Sequence, residues 1–521
     1  MAVLDTVIRG GRVLDGTGTL MTELDVGIAD GRIAALGHRL GSARVALDAT
    51  DLVVAPGFID MHTHTDFTIP LRPAAEAKVL QGVTTDVTGN CGFSPFPLDE
   101  SDAGRAHGAF FEPELHQRWP SLSAYAAELT DRRPAINVAP LIGMGAIRLA
   151  VLGDDPRTPD QHEVDCMRTL LADALRQGAF GASSGLVYDP GCHAATAELI
   201  AVAEPLGRLG GIYATHLRNE ADELESAVAE ALEIGRRAGC PVHISHHKAI
   251  GRRNWGTVER TLAQVDSAVA AGLDVTLDAY PYVAGSSTLV SLIPTGLQRG
   301  GIDAIRGRLA DPTARSALAD GVRSAPTFAF EDIVLAAVPS QPDLNGLRLC
   351  DVAERLEVEP TELVLSLIER NGLDVVMTAF GMNDADVCRV LSHSRAMVGS
   401  DGWVLCGEAP GHPHPRNFSF TARFLTSYVR DRHIVELERA VRMLSTLPAD
   451  RLGLGDRGRL VPGAVADIVA FDYEGLLDRA TYEQPRLTPE GVVHVLVAGE
   501  PVVQAGEITG ARPGRVLRRM P

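Results

Sequence analysis

Between about residue 58 and residue 403, short apolar runs that end in glycine, proline or polar residues alternate with longer amphipathic stretches, and this alternation restricts the fold more than any other feature. Eight such runs can be counted: FIDMHTHTD, GVTTDVTGNCG, INVAPLIG, AFGASSGL, IYATHLRNE, VHISHHKA, LDVTLDAYPY and AMVGSDGW. The stretches between them include TPDQHEVDCMRTLLADALRQGA and ADELESAVAEALEIGRRAG, whose apolar residues recur at helical spacing. Eight strands with intervening helices are the arithmetic of an α/β chain closed into a (β/α)8 TIM barrel. A ninth run, VVMTAFG at 375–381, leaves the count open by one.

The two ends read differently from the middle. Residues 1–55 carry β-branched and apolar runs separated by glycine turns, and 453–521 repeat the pattern in GRLVPGAVADIVAFDYE and VVHVLVAGEPVVQAGEITG. Each end alone offers few strands, so the expectation is one small antiparallel β-sandwich built from both, flanking a barrel over 56–452. Residues 286–350 are too long for a loop and contain their own helix and strand patterns, which predicts an inserted subdomain or lid at the barrel mouth.

Composition removes several classes. The net charge of −19 argues against nucleic acid and anionic membrane as partners. No stretch approaches the roughly 18 apolar residues that a membrane span needs, and the N-terminus has no signal-like apolar region, which reads as a soluble cytoplasmic protein. Seven scattered cysteines do not suggest a disulfide framework. Of 48 basic residues only Lys78 and Lys248 are lysines, so each lysine deserves to be located.

Residues able to do chemistry gather at the C-terminal ends of the eight runs: His62 and His64, Cys91, His216, His246 and Asp401. Barrel active sites lie at that end, where the βα-loops meet. Alternation along a strand puts Asp60, His62 and His64 on one face, and two neighbouring imidazoles can share one cation. In VHISHHKA the same parity groups His246 with Lys248, with His247 the competing choice. Cys91, in GNCG, is open to the roles of nucleophile, buried filler or metal ligand. Asp401 is open to capping the segment that follows it or to moving a proton beside a bound metal.

Together APGFIDMHTHTD, GNCG, ATHLRNE, SHHK, DAYPY, GSDGW, HPR and the tail GRLVPGAVADIVAFD resemble the amidohydrolase superfamily, and within it the N-acyl-D-amino-acid deacylases, or D-aminoacylases. The resemblance implies zinc-dependent hydrolysis of N-acyl-D-amino acids to a carboxylate and a free D-amino acid. It implies Cys91, His216 and His246 as ligands of a tightly held Zn2+, His62 and His64 as a weaker second metal site, and Asp401 as the catalytic carboxylate. Many relatives bridge two metals with a carboxylated lysine from the fourth strand. The fourth run here has no lysine, which leaves Cys91 to supply the anionic ligand.

The substrate is then a small anion whose carboxylate must be held inside an acidic protein. Lys248 and Arg416 are the candidates by charge, and the resemblance supports both and adds Tyr188, Tyr280 and Ser286. The loop GWVLCGEAPGH has no basic residue before Arg416 to receive a second carboxylate, which favours hydrophobic D-residues. The alternatives are a D-specific or isoaspartyl-type dipeptidase, a hydantoinase-like or dihydroorotase-like cyclic amidohydrolase, a cysteine hydrolase using Cys91, and a silent scaffold barrel.

Overall fold

The computed structural model describes residues 4–109, 111–298, 300–324, 328–405 and 411–519. All eight runs are parallel strands of one barrel: β1 (Phe58–Asp60), β2 (Val83–Thr88), β3 (Asn137–Pro140, resumed at Ile142–Gly143), β4 (Gly181–Gly185), β5 (Ile212–His216), β6 (Val242–Ile244), β7 (Val275–Ala279) and β8 (Ala396–Val398). Residue 140 is a proline and has no N–H to give a ladder, and β3 breaks there. Leu141 N still bonds Thr88 O at 2.9 Å and Phe180 N bonds Pro140 O at 2.9 Å, so the wall continues past the break.

The intervening helices form as their patterns require. Helix Gln161–Arg176 opens with a capping box, Asp160 accepting from Glu163 N while the Glu163 side chain returns to Asp160 N. Helix Leu224–Ala238 buries Leu224, Ala227, Val228, Ala231, Ile234 and Ala238, a stripe at three- and four-residue spacing laid against the barrel. Among the described residues no helix is long and apolar enough to cross a membrane.

Both ends of the chain meet in one β domain. Val53–Pro56 from the first part pairs antiparallel with Ile468–Phe471 from the second. All nine strands are hydrogen-bonded into a single sheet rather than two, and Leu4–Val13 pairs parallel with both Ala43–Asp48 and Val53–Pro56, so the expected all-antiparallel pattern gives way. A bulge between Ile8 and Gly11 bends the sheet. Ile8, Val26, Ile28, Ile33, Leu47, Ile468 and Leu496 form the core it encloses.

The inserted unit runs further than 350. Gly285–Thr288, Ile333–Ala337 and Val376–Ala379 form a three-stranded antiparallel sheet whose middle strand is the ninth run of the sequence. Its own core extends from Leu289 to Ala379, and position 350 falls inside helix Leu349–Arg355. The boundary escaped the sequence because the returning strand looks like one more barrel strand.

Candidate metal centre

Three of the residues that the sequence put at strand ends sit on left-handed backbone: Cys91 (φ 52°), His246 (φ 34°) and Asp401 (φ 52°). Side chains other than glycine rarely adopt φ above zero, and such positions collect where surrounding structure fixes a site. For Cys91 the fixing is visible. The Ser183 hydroxyl on β4 accepts from Gly92 N at 2.9 Å and donates to Gly89 O at 2.5 Å, gripping the turn from both sides. A Cβ at Gly185 would lie 2.0 Å from Cys91 O, and one at Gly92 would lie 2.8 Å from Gly185 N, so both glycines are needed for the approach. The fourth strand, which lacks a lysine, thus acts on the site by holding Cys91.

Around the Cys91 sulfur stand three imidazoles: His62 Nε2 at 3.2 Å, His246 Nε2 at 3.4 Å and His216 Nδ1 at 3.8 Å. Asp401 Oδ1 lies 3.3 Å from His64 Nε2 and 3.6 Å from His62 Nε2. The donor atoms form two groups that share Cys91: Cys91 with His216 and His246, and Cys91 with His62, His64 and Asp401. Tetrahedral zinc with one thiolate and imidazole ligands separates its sulfur and nitrogen donors by about 3.5 Å, given bonds of about 2.3 and 2.0–2.1 Å, and the first group, at 3.4 and 3.8 Å, lies close to that spacing. Burial resists charge on His62, yet Cys91 and Asp278 hold it well above the ordinary imidazole range. Burial likewise resists the Cys91 thiolate, and His62 and His246 together with the His216 and His246 hydrogen bonds hold the thiol well below its ordinary value. A buried thiolate that draws positive charge onto its neighbours suits a divalent cation.

Strand alternation does not reach His246. Strand β6 stops at Ile244, and the left-handed turn at His246 sends that imidazole to Cys91 while His247 Nε2 bonds Thr261 Oγ1 at 2.8 Å on the helix side. Strand β1 similarly stops at Asp60, whose carboxylate meets Lys78 Nζ at 2.6 Å instead of joining the two histidines.

Two carboxylates that the sequence reading passed over brace the imidazoles. Glu220 Oε1 lies 3.0 Å from His246 Nδ1, and Oε2 lies 3.6 Å from His216 Nε2. Asp278 Oδ2 lies 3.4 Å from His62 Nδ1, and its Oδ1 accepts from His246 N at 2.9 Å. A carboxylate on the outer nitrogen fixes the tautomer and orientation of a ligating histidine. Glu220 follows β5 in LRNE and Asp278 lies in LDAYPY; each is two to four residues from a candidate, the only signal the sequence held.

The expected substrate-binding residues lie around a cavity of about 320 Å3 that reaches from Asp401, His216 and His246 to the inserted unit, with Tyr188, Lys248, Tyr280 and Ser286 in its wall. Lys248 Nζ donates to Glu220 Oε1 at 2.7 Å, and although burial disfavours its charge, Glu220 keeps it an ammonium. Arg416 is buried behind that wall and donates from Nη1 to Asp401 Oδ2 at 2.8 Å. The Tyr280 ring lies near both cations, 5.5 Å from Lys248 Nζ and 5.1 Å from the Arg416 guanidinium carbon. Tyr188 stands 5.0 Å from the His216 ring. Part of the loop GWVLCGEAPGH, residues 406–410, lies outside the described residues.

A profile of the amidohydrolase family matches residues 45–503. The chain is 40% identical over 519 residues to the N-acyl-D-glutamate deacylase of Alcaligenes xylosoxydans xylosoxydans, covering 99% of this chain and 97% of that protein. It is 36% identical over 525 residues to the D-aminoacylase of the same organism, covering 99% and 98%. The crystal structure of N-acyl-D-glutamate deacylase from Bordetella bronchiseptica, complexed with zinc and a phosphonate inhibitor that mimics the tetrahedral intermediate, matches with a TM-score of 0.85 at 36% identity, covering 99% of this chain and all of that one (100%).

Proposed function

Because this chain belongs to the amidohydrolase family, in its N-acyl-D-amino-acid deacylase branch, we propose that its cavity hydrolyses the amide bond of N-acyl-D-amino acids with zinc held by Cys91, His216 and His246. The observation that carries this reading is the single buried thiolate shared by two groups of donor atoms, with a carboxylate and an arginine at the same point. His62 and His64, with Asp401 close by, offer a second and weaker metal position.

Zinc bound there supplies a Lewis acid for the amide carbonyl and lowers the pKa of a bound water toward about 7. Burial opposes the Asp401 carboxylate, but Arg416, His64, His246 and His62 hold its carboxyl well below the usual range, so it is ionised at neutral pH. Its Oδ2 is engaged by Arg416 while Oδ1 faces the histidines, which makes Oδ1 the atom to take the proton of the attacking water. The same oxygen then returns that proton to the departing amine nitrogen.

The substrate carboxylate belongs at Lys248, Ser286 and Tyr280 in the cavity wall. Arg416 contributes its charge there, and its Nε has no partner among the described residues. The rest of the wall, where the substrate side chain would lie, includes Val290, Ile305, Phe328, Leu373 and Met377. Among the described residues of the cavity wall the one arginine, Arg218, is engaged by Glu230 and by the carbonyls of Cys192 and Ala194. This supports a hydrophobic D-residue as the preferred substrate.

A panel of N-acetyl-D- and L-amino acids, assayed with zinc content measured on the same preparation, tests the proposal. The expected result is about one tight zinc per chain, activity lost on chelation and restored by zinc, and D-methionine or D-leucine derivatives favoured over D-glutamate and D-aspartate. Turnover of L-derivatives alone, or full activity in the metal-stripped protein, would refute the reaction. Preference for N-acetyl-D-glutamate would refute only the side-chain reading.

A further inference from the structure

Lys78 has no part in the reaction just described, yet its ammonium is wholly buried. It donates to Asp60 Oδ2 at 2.6 Å and to Ser400 Oγ at 3.2 Å, and it lies 3.4 Å from Asp86 Oδ2. Asp60 ends β1, and Ser400 follows β8 and directly precedes Asp401. The lysine therefore sits where the first and last strands of the barrel meet.

That seam is thin. Strands β1 and β8 share no ladder; they close the barrel through one bridge, Thr63 with Gly402, and the bonds Asp401 N to His62 O at 2.9 Å and His64 N to Gly402 O at 2.8 Å. Asp60 adds further links. Its Oδ1 accepts from Ser400 N at 2.8 Å and from His62 N at 3.3 Å, and its Oδ2 accepts from Ser400 Oγ at 2.5 Å as well as from Lys78. Ser400 Oγ in turn accepts from Gly402 N at 3.0 Å. His62 and His64 ride on one side of the seam and Asp401 on the other, so their mutual distance is set across it.

We propose that Lys78, acting through Asp60 and Ser400, is a positioning residue that sets the separation of Asp401 from His62 and His64, and with it the affinity of the second metal position. This rests on the amidohydrolase reading of the site. Lys78 is the cation that fixes the Asp60 carboxylate, and without it Asp60 is free to turn away from Ser400 and His62, both of which it now holds. Asp86, its carboxyl pushed up to about 6 by burial, adds a second buried acid that depends on the same ammonium. Lys78 is the shared cation of both, and it is held in place by Phe420, whose ring centre lies 5.7 Å from Nζ.

Lys78→Met, Ser400→Ala and the double variant Lys78→Met/Asp60→Asn test this. The measurements are zinc content, titration of a second zinc or cobalt(II) into the one-zinc protein followed by absorption or calorimetry, kcat and KM for the wild type's best substrate, and Tm. Lys78→Met is expected to retain one tight zinc and a KM within about twofold, while second-metal affinity and kcat fall about 10- to 100-fold, the range typical of residues that orient metal ligands. Ser400→Ala should move both readouts the same way by less. The double variant, freed of the unpaired Asp60 charge, should recover Tm without recovering kcat or second-metal affinity, which separates positioning from bulk stability. The proposal is overturned if Lys78→Met, or the double variant where the single one does not fold, keeps wild-type kcat and second-metal affinity. It is equally overturned if the wild type takes up no second metal. A wild-type protein that hydrolyses no N-acyl-D-amino acid refutes the reaction instead, and the metal titration still decides the role of Lys78.

Discussion

The two donor groups that share Cys91 are supported unequally. On one side His216 and His246 both turn their outer nitrogens to a single carboxylate, Glu220, which Lys248 neutralises. On the other, His62 shares Asp278 Oδ2 with His243, whose Nε2 lies closer at 2.8 Å, and His64 Nδ1 has no partner among the described residues. What steadies the His64 ring is stacking on Phe111, with centroids 4.2 Å apart. The ligand types alone would not rank the two positions. The carboxylates behind them differ, and on the proposed reading this difference favours the Cys91, His216 and His246 position as the tight one.

The most forceful way to break the comparison is to remove what both sides share. Cys91→Ala is expected to lose tight zinc and to fall to the activity of metal-stripped protein, measured as zinc per chain and kcat/KM; zinc retained with turnover lost would return Cys91 to the nucleophile role. Next comes Asp401→Ala, expected to keep tight zinc and lose about 10² to 10⁴ in kcat, the range for a group that moves a proton. The braces sharpen the asymmetry. Glu220→Gln should weaken tight zinc about 10- to 100-fold in a chelator competition, whereas Asp278→Asn should act mainly on the second position.

Arg416→Ala should raise KM about tenfold or more and leave zinc content unchanged. It also removes the strongest of the charges that hold the Asp401 carboxyl low, so the Asp401 pKa rises. Because Asp401 must be ionised to act, activity is lost as pH falls through that pKa, and the acid limb of the kcat profile moves to higher pH in the variant. An unmoved limb would separate Arg416 from Asp401. The smallest effect is expected at His247, bonded to Thr261 on the helix side: His247→Asn should cost about 1 kcal/mol of stability while zinc and kcat stay within about twofold.

The barrel was legible because each strand is a short apolar run closed by a polar residue, and the site was legible because those closing residues converge. What lay outside the reach of pattern was anything settled by a tertiary neighbour. Parity favoured His246, but the strand ends at Ile244 and it is left-handed backbone that turns the imidazole inward. Asp60, Glu220 and Asp278 look like ordinary acids in FID, LRNE and LDAYPY; their roles depend on Lys78, Lys248 and His243, which arrive from other elements. The run at 375–381 has the composition of a barrel strand and is the centre of the inserted sheet, because composition does not encode which sheet a strand joins. The two lysines take different places: Lys248 stands in the cavity wall and Lys78 bonds Asp60 at the barrel seam.

The central claim is that Cys91 is a ligand of the tight metal, and zinc K-edge absorption of the one-zinc enzyme tests it most directly. One sulfur at about 2.3 Å and two imidazole nitrogens at about 2.0–2.1 Å are expected in the metal's inner shell, the sulfur disappearing in Cys91→Ala. A shell of nitrogen and oxygen alone in the wild-type enzyme would contradict it.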